Sequence, residues 1–206
     1  LKKIMINQPV CVSRKFLITL VIVLAQLSCS MPENRPSQVN CNPWQATDVI
    51  TSAELSVLTL NMAHGRGEAF NQMLQKTSTT RRNLEHISSF IGDSGADLVA
   101  LQEADAPSRW SGKFDHVNFV SSNSPYPCRI HASHARKYMY DFGTALLSKV
   151  PFSTSVMHTF VPSPPTTSKG FVMGEVYWNP NGELSEAIPV SVISVHLDFS
   201  RKKVRE

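Results

Sequence analysis

Two apolar, strand-like segments flank one amphipathic helix, and this order restricts the fold more than any other feature of the chain. Residues 55–61 read LSVLTLN and residues 97–103 read DLVALQE. Between them, Leu84, Ile87, Phe90 and Ile91 recur at the spacing of one helical face. Thr79 or Thr80 supplies a cap for a helix running to Asp93, and Gly95 supplies a stop. The chain therefore opens β–α–β. Its later half is strand-rich, with further strands predicted over 142–148, 153–161, 170–178 and 190–196. Pro151, the PSPP run at 162–165 and Asn179-Pro180-Asn181-Gly182 punctuate them as turns. One helix followed by hairpin-linked strands predicts an α+β sheet domain, not an alternating Rossmann repeat.

The first 28 residues read as an address label. Residues 16–27 (FLITLVIVLAQL) form an uncharged run of twelve, too short for the ~20 residues that span a bilayer. Arg14 and Lys15 precede it and Ser28-Cys29-Ser30 follow, the pattern of a secretory signal peptide. The Leu-Ser-Cys ending resembles a bacterial lipoprotein signal, which makes Cys29 a lipidation candidate. An ordinary signal peptide with Cys29 as a bystander is the alternative. Either way the protein is expected to be exported, to the cell envelope on a lipid anchor or as a secreted protein. Residues 29–54 are polar and Pro-containing and read as a linker, so the domain is placed at 55–206. Export leaves Cys41 and Cys128 as an even pair in a compartment that permits disulfides, and spacing alone does not say whether they join.

Charge argues against a nucleic-acid footprint. The formal net charge is +4, but the excess lies at the two ends. Residues 29–200 carry 12 Lys and Arg against 15 Asp and Glu, a net of −3. Nucleic acid stays open as a substrate without being indicated by charge.

Three polar residues end apolar strands: Asn61 after SVLTL, Glu103 after LVALQ and His196 after SVISV. A polar group at a strand end sits at a sheet edge, where sites are commonly built. Strands must also end somewhere, and polar residues end them, so each residue alone carries little. The strings around them carry more. LTLNMAHGRG (58–67), DLVALQEAD (97–105), FGTALLSKVPF (142–152) and VISVHLDFSRKKVRE (192–206) occur in an order that resembles the endonuclease/exonuclease/phosphatase superfamily of metal-dependent phosphoesterases.

The resemblance implies a four-layer α/β/β/α sandwich with only the first part of the fold present. It implies Glu103 as the carboxylate that binds a divalent metal, Mg²⁺ first and Mn²⁺ or Ca²⁺ as alternatives. Asn61 becomes the amide near metal and phosphate, and His196 the histidine that contacts the phosphate. Asp198, at i+2 from His196, reads as second shell or a metal neighbour. Tyr140, Lys169 and His64 are further candidates for the second shell or for substrate contact; Lys169 reads equally as a solvated strand end and His64 as a glycine-flanked turn. The superfamily's Gly-Asp-x-Asn and Asp-His segments do not occur in the 206 residues. The expectation is a C-terminally truncated chain, inactive alone, whose full-length form hydrolyses a phosphodiester or phosphomonoester. A non-catalytic, ligand-binding lipoprotein on the same scaffold is the alternative.

Other polar residues receive plainer readings. His131 and His134 (HASHARK) are assigned to a solvated loop. Trp110, Phe114, His116 and Phe119 are assigned to the core or its rim. The terminal RKKVRE run, with Arg205, reads as the first turn of a helix.

Overall fold

A computed structural model of the chain describes residues 34–42, 48–182 and 187–198. The leader, Cys29 and the terminal RKKVRE run lie outside the described residues. Among the described residues ten strands form two five-stranded mixed sheets, with two α-helices. The first sheet is ordered β1 (Asn34–Pro36), β8 (Thr154–Thr159), β9 (Gly170–Asn179) and β10 (Ile188–His196), all antiparallel. In it β3 (Ile50–Thr51) pairs in parallel with the far end of β9. The second sheet is ordered β2 (Val39–Cys41), β6 (Cys128–Arg136), β7 (Asp141–Ser148), β5 (Leu98–Asp105) and β4 (Val57–Asn61). Helix α1 (Thr77–Asp93) connects β4 to β5, which are parallel, so the β–α–β opening is present. Helix α2 (His116–Ser122) follows β5.

Strand alternation explains the layering. On β5, Leu98 and Ala100 face the first sheet and pack with Ile130, Leu146, Val172, Val176 and Val192. Val99 and Leu101 face the other way, onto Leu84 and Ile91 of α1 and Val117 and Val120 of α2. Each fully buried Val, Leu or Ile contributes about 1.5–3 kcal/mol of transfer free energy. The strand is thus apolar on both faces because it lies between two cores. Helices on sheet on sheet make an α+β sandwich, as the sequence predicts. On the first sheet's outer face, Tyr177, Ile193 and Val195 are exposed, and among the described residues no helix covers them.

Several details depart from the sequence reading. The helix begins at Thr77 with Lys76 in the cap position, three or four residues before the expected Thr79 or Thr80 cap, and Lys76 makes no side-chain cap. Phe90, assigned to the helix's apolar face, is 56% exposed, while Leu84 and Ile91 carry the burial. Three short strands lie in the 29–54 stretch assigned to a linker. One of them places Cys41 directly across from Cys128, and the two form a disulfide. His131 and His134 are not in a loop; both belong to β6.

His134 lies inside the sandwich. Its Nδ1 is 3.1 Å from Thr159 Oγ1 on β8 and its Nε2 is 2.9 Å from Thr144 Oγ1 on β7, so one ring ties the two sheets. The ring fits because Gly143 and Gly170 flank it: a Cβ at either position would run into it. Burial first, then the neighbouring His131, push its pKa from 6.5 down to about 3.

Candidate active site

Glu103 owes its position to a break in the strand. Gln102 pairs with Thr144 and Ala104 with Gly143, so Glu103 is an extra residue with no cross-strand partner. This is a β-bulge, and Glu103 adopts φ 49°, a region that non-glycine residues rarely occupy. Such backbone strain is tolerated where surrounding contacts enforce it, and it concentrates at functional sites. Its effect is to turn the carboxylate out of the ladder. The neighbouring Gln102 side chain instead bridges to Ser194 of β10, at 3.2 Å.

His64 is packed against that carboxylate. The chain leaves β4 with the Met62 N–H bonded to the Gln102 carbonyl, then turns tightly through Ala63 (φ 46°) and His64 (φ 58°). The turn expected from the sequence is there, and it buries the imidazole. Nδ1 lies 3.0 Å from Asp105 Oδ2 and Nε2 lies 3.4 Å from Glu103 Oε2. The ring therefore bridges two carboxylates. Phe142 meets it edge-on at 4.7 Å and Trp110 at 5.8 Å.

Asp105 is fully buried behind it, with His116 Nδ1 at 3.5 Å on its other side. His116 Nε2 donates to the Ser111 carbonyl at 2.9 Å. Burial, opposed by the charge of Asp105, lowers the His116 pKa.

His196 ends β10 opposite Gly170, which follows Lys169 at the start of β9. That pairing brings both candidates to one sheet edge. His196 Nε2 is 3.9 Å from Glu103 Oε1. Burial, then the nearby Lys169 cation, lower its pKa, while Glu103 acts in the opposite sense. Burial also lowers the Lys169 pKa, against the attraction of Glu103 and Asp198. The Lys169 ammonium lies 5.9 Å from the centre of the Phe142 ring. Asp198 is buried and accepts hydrogen bonds from Ser163 and Thr166, each at 2.7 Å. It fixes the 160–169 loop beside Lys169.

Asn61 stands in register with Gln102, one residue from Glu103. Its amide oxygen accepts the Ala63 N–H at 2.8 Å, which leaves the NH₂ as the group able to donate outward. Tyr140 packs on Trp110 at 4.9 Å and on Phe142 at 5.5 Å and extends the aromatic wall. The structure thus gathers Glu103, His64, His196 and Lys169, with Asn61, Asp198 and Tyr140 around them. Asp105, two residues after Glu103, carries no strand-end or motif signal of its own in the sequence. Trp110 and His116 were assigned only to core or rim.

The donors fit a hard cation held sparingly. The Glu103 carboxylate is 22% exposed, open on one side and held on the other. Among the described residues no group of three or more His, Cys, Asp or Glu could enclose a metal. Magnesium keeps several waters and commonly takes one or two carboxylates, whereas transition metals favour imidazole and thiolate sets.

A family model described as the Endonuclease/Exonuclease/phosphatase family matches residues 58–196, from β4 to the last residue of β10. The chain belongs to the endonuclease/exonuclease/phosphatase family. A solved structure described as an endonuclease/exonuclease/phosphatase family protein from Leptotrichia buccalis C-1013-b is similar at 14% identity and a TM-score of 0.46, over 73% of this chain and 58% of that one. The chain thus spans 58% of the length of that family protein. No curated protein matches the chain.

Proposed function

We propose that the full-length protein hydrolyses phosphate esters with a divalent cation held at Glu103, Mg²⁺ being the first choice. The observation that carries this reading is the meeting of Glu103, His196 and Lys169 at one sheet edge of a chain in this family. When bound, the cation supplies Lewis acidity that polarises the phosphoryl oxygen. The rest falls to the protein. His64 holds the Glu103 carboxylate in place from behind. Lys169 draws the phosphate by charge, and its partly buried setting strengthens that attraction. His196 presents Nε2 beside Glu103, where it can hold a phosphoryl oxygen as charge develops. Asn61 offers its NH₂ to the same group.

The protein is further proposed to work outside the cytoplasm, lipid-anchored or secreted. The Cys41–Cys128 disulfide supports an oxidising compartment. Among the described residues no helix is long and apolar enough to cross a membrane.

Hydrolysis of bis(p-nitrophenyl) phosphate and p-nitrophenyl phosphate by the full-length protein tests this reading. Turnover that requires added Mg²⁺ and stops with chelator is expected. Equal turnover in chelator, or none with any divalent cation, would overturn it.

A further inference from the structure

We infer that Asp105 is a positioning residue for the cation-holding carboxylate, acting on Glu103 through the His64 ring. This deepens the proposed function and rests on it. Asp105 reaches no solvent, so it touches neither cation nor substrate, and what it does for the reaction passes through a neighbour. Among the described residues two imidazoles approach it, both at Oδ2: His64 Nδ1 at 3.0 Å and His116 Nδ1 at 3.5 Å. Of these, the His64 contact is the hydrogen bond; His116 Nδ1 and Asp105 Oδ1 make none among the described residues.

A carboxylate sealed in this way is costly to bury, and an apolar residue would fill the same space at less cost to the fold. What Asp105 adds is an acceptor aimed at His64 Nδ1. That acceptor stands on fixed backbone. Asp105 pairs with Phe142 in the ladder, and the Ala106 N–H donates to the Asp141 carbonyl at 2.9 Å. Glu103 lacks such support, because the bulge leaves it without a cross-strand partner.

His64 spans the two carboxylates on one rigid ring. With Nδ1 on Asp105, Nε2 stands 3.4 Å from Glu103 Oε2. A ring turned away from Asp105 would carry Nε2 away from Glu103 as well. His64 also sits at φ 58°, a conformation that needs surrounding contacts to enforce it, and the bond to Asp105 is one of them. A residue fixed in the ladder thus sets where an unpaired carboxylate stands. Such outer carboxylates orient the imidazoles that hold a metal site in shape, at a distance from the metal itself.

Calorimetry of Mn²⁺ binding to the full-length protein tests this, with a urea midpoint on each sample to show that it is folded. Asp105→Asn keeps the volume and one acceptor oxygen, and should weaken binding about tenfold. Asp105→Ala removes the acceptor and should weaken it by up to about 100-fold. In a His64→Ala background neither substitution should weaken binding further, because the route to Glu103 is already cut. Unchanged affinity in folded Asp105→Asn, or losses that multiply with that of His64→Ala, would overturn the inference. Should Asp105→Ala not fold, Asp105→Asn alone and combined with His64→Ala decides. Two further readings separate the inference from the proposed function. Mn²⁺ binding that is lost in Glu103→Gln but unmoved in Asp105→Asn defeats the inference alone. Weakened binding in Asp105→Asn, with no ester hydrolysis by the unaltered protein, upholds the positioning role and defeats the phosphoesterase reading.

Discussion

Glu103 and His134 are the extra residues of two β-bulges that flank the same short stretch of β7. On one side Ala104 pairs with Gly143 after Glu103 has left the ladder; on the other Ser133 pairs with Gly143 before His134 leaves it. Gly143 is thus the partner residue beside both irregular positions, Glu103 toward the site and His134 inside the sandwich. A Cβ at Gly143 would collide with the Ala132 carbonyl and the His134 ring. Gly143→Ala is expected to destabilise the fold by about 1–3 kcal/mol or more, read from the midpoint of urea unfolding. An unchanged midpoint would show that the bulges do not depend on this close approach.

The buried His134 makes stability depend on pH. Its folded pKa of about 3 lies below the unfolded 6.5, so the folded ring stays neutral while the unfolded ring takes a proton. The stability it contributes is whole above pH 6.5 and falls as pH drops from 6.5 toward 3. The loss is about 1.4 kcal/mol per pH unit for this one group. Denaturant titrations at pH 7 and pH 4.5 should show the loss, and His134→Gln should reduce it by one proton's share. An identical pH slope in the variant would contradict the assignment.

His64 is proposed to act through Glu103, against which its ring is packed. Its two nitrogens join a buried and an open carboxylate, and such supporting residues typically change metal affinity or activity 10–100-fold. His64→Ala in the full-length protein should weaken Mn²⁺ binding, measured by calorimetry, by about that factor. His64→Gln should recover part of it, because the shorter amide still donates to one carboxylate. A purely packing role would leave the binding constant unmoved in both.

Much of this arrangement was legible because apolar strands announce their polar ends. Asn61 and His196 follow apolar runs and are the last residues of β4 and β10, whereas Glu103, read as the end of its strand, lies in a bulge two residues before the end of β5. Strand β6 was not legible, and the reason is local. Cys128, Ile130 and Ala132 alternate inward, but the bulge at His134 breaks the period of two, and the two histidines suggest solvent. The pieces β1, β2 and β3 have two or three residues each and form only because a sheet edge awaits them. Asp105 was hidden for another reason. Its role depends on His64, forty-one residues earlier, turning back over β5, and no local pattern encodes that return.

The central claim is that Glu103 holds the cation on which hydrolysis depends. Its most direct test is Glu103→Gln in the full-length protein, with Mg²⁺ or Mn²⁺ binding by calorimetry and bis(p-nitrophenyl) phosphate turnover measured on the same sample. The substitution keeps the side chain's shape and removes its charge. The account predicts a folded protein in which cation affinity and turnover fall together, by about 100-fold or more in turnover. A Glu103→Gln protein that binds the cation and turns over substrate as the unaltered protein does would contradict it.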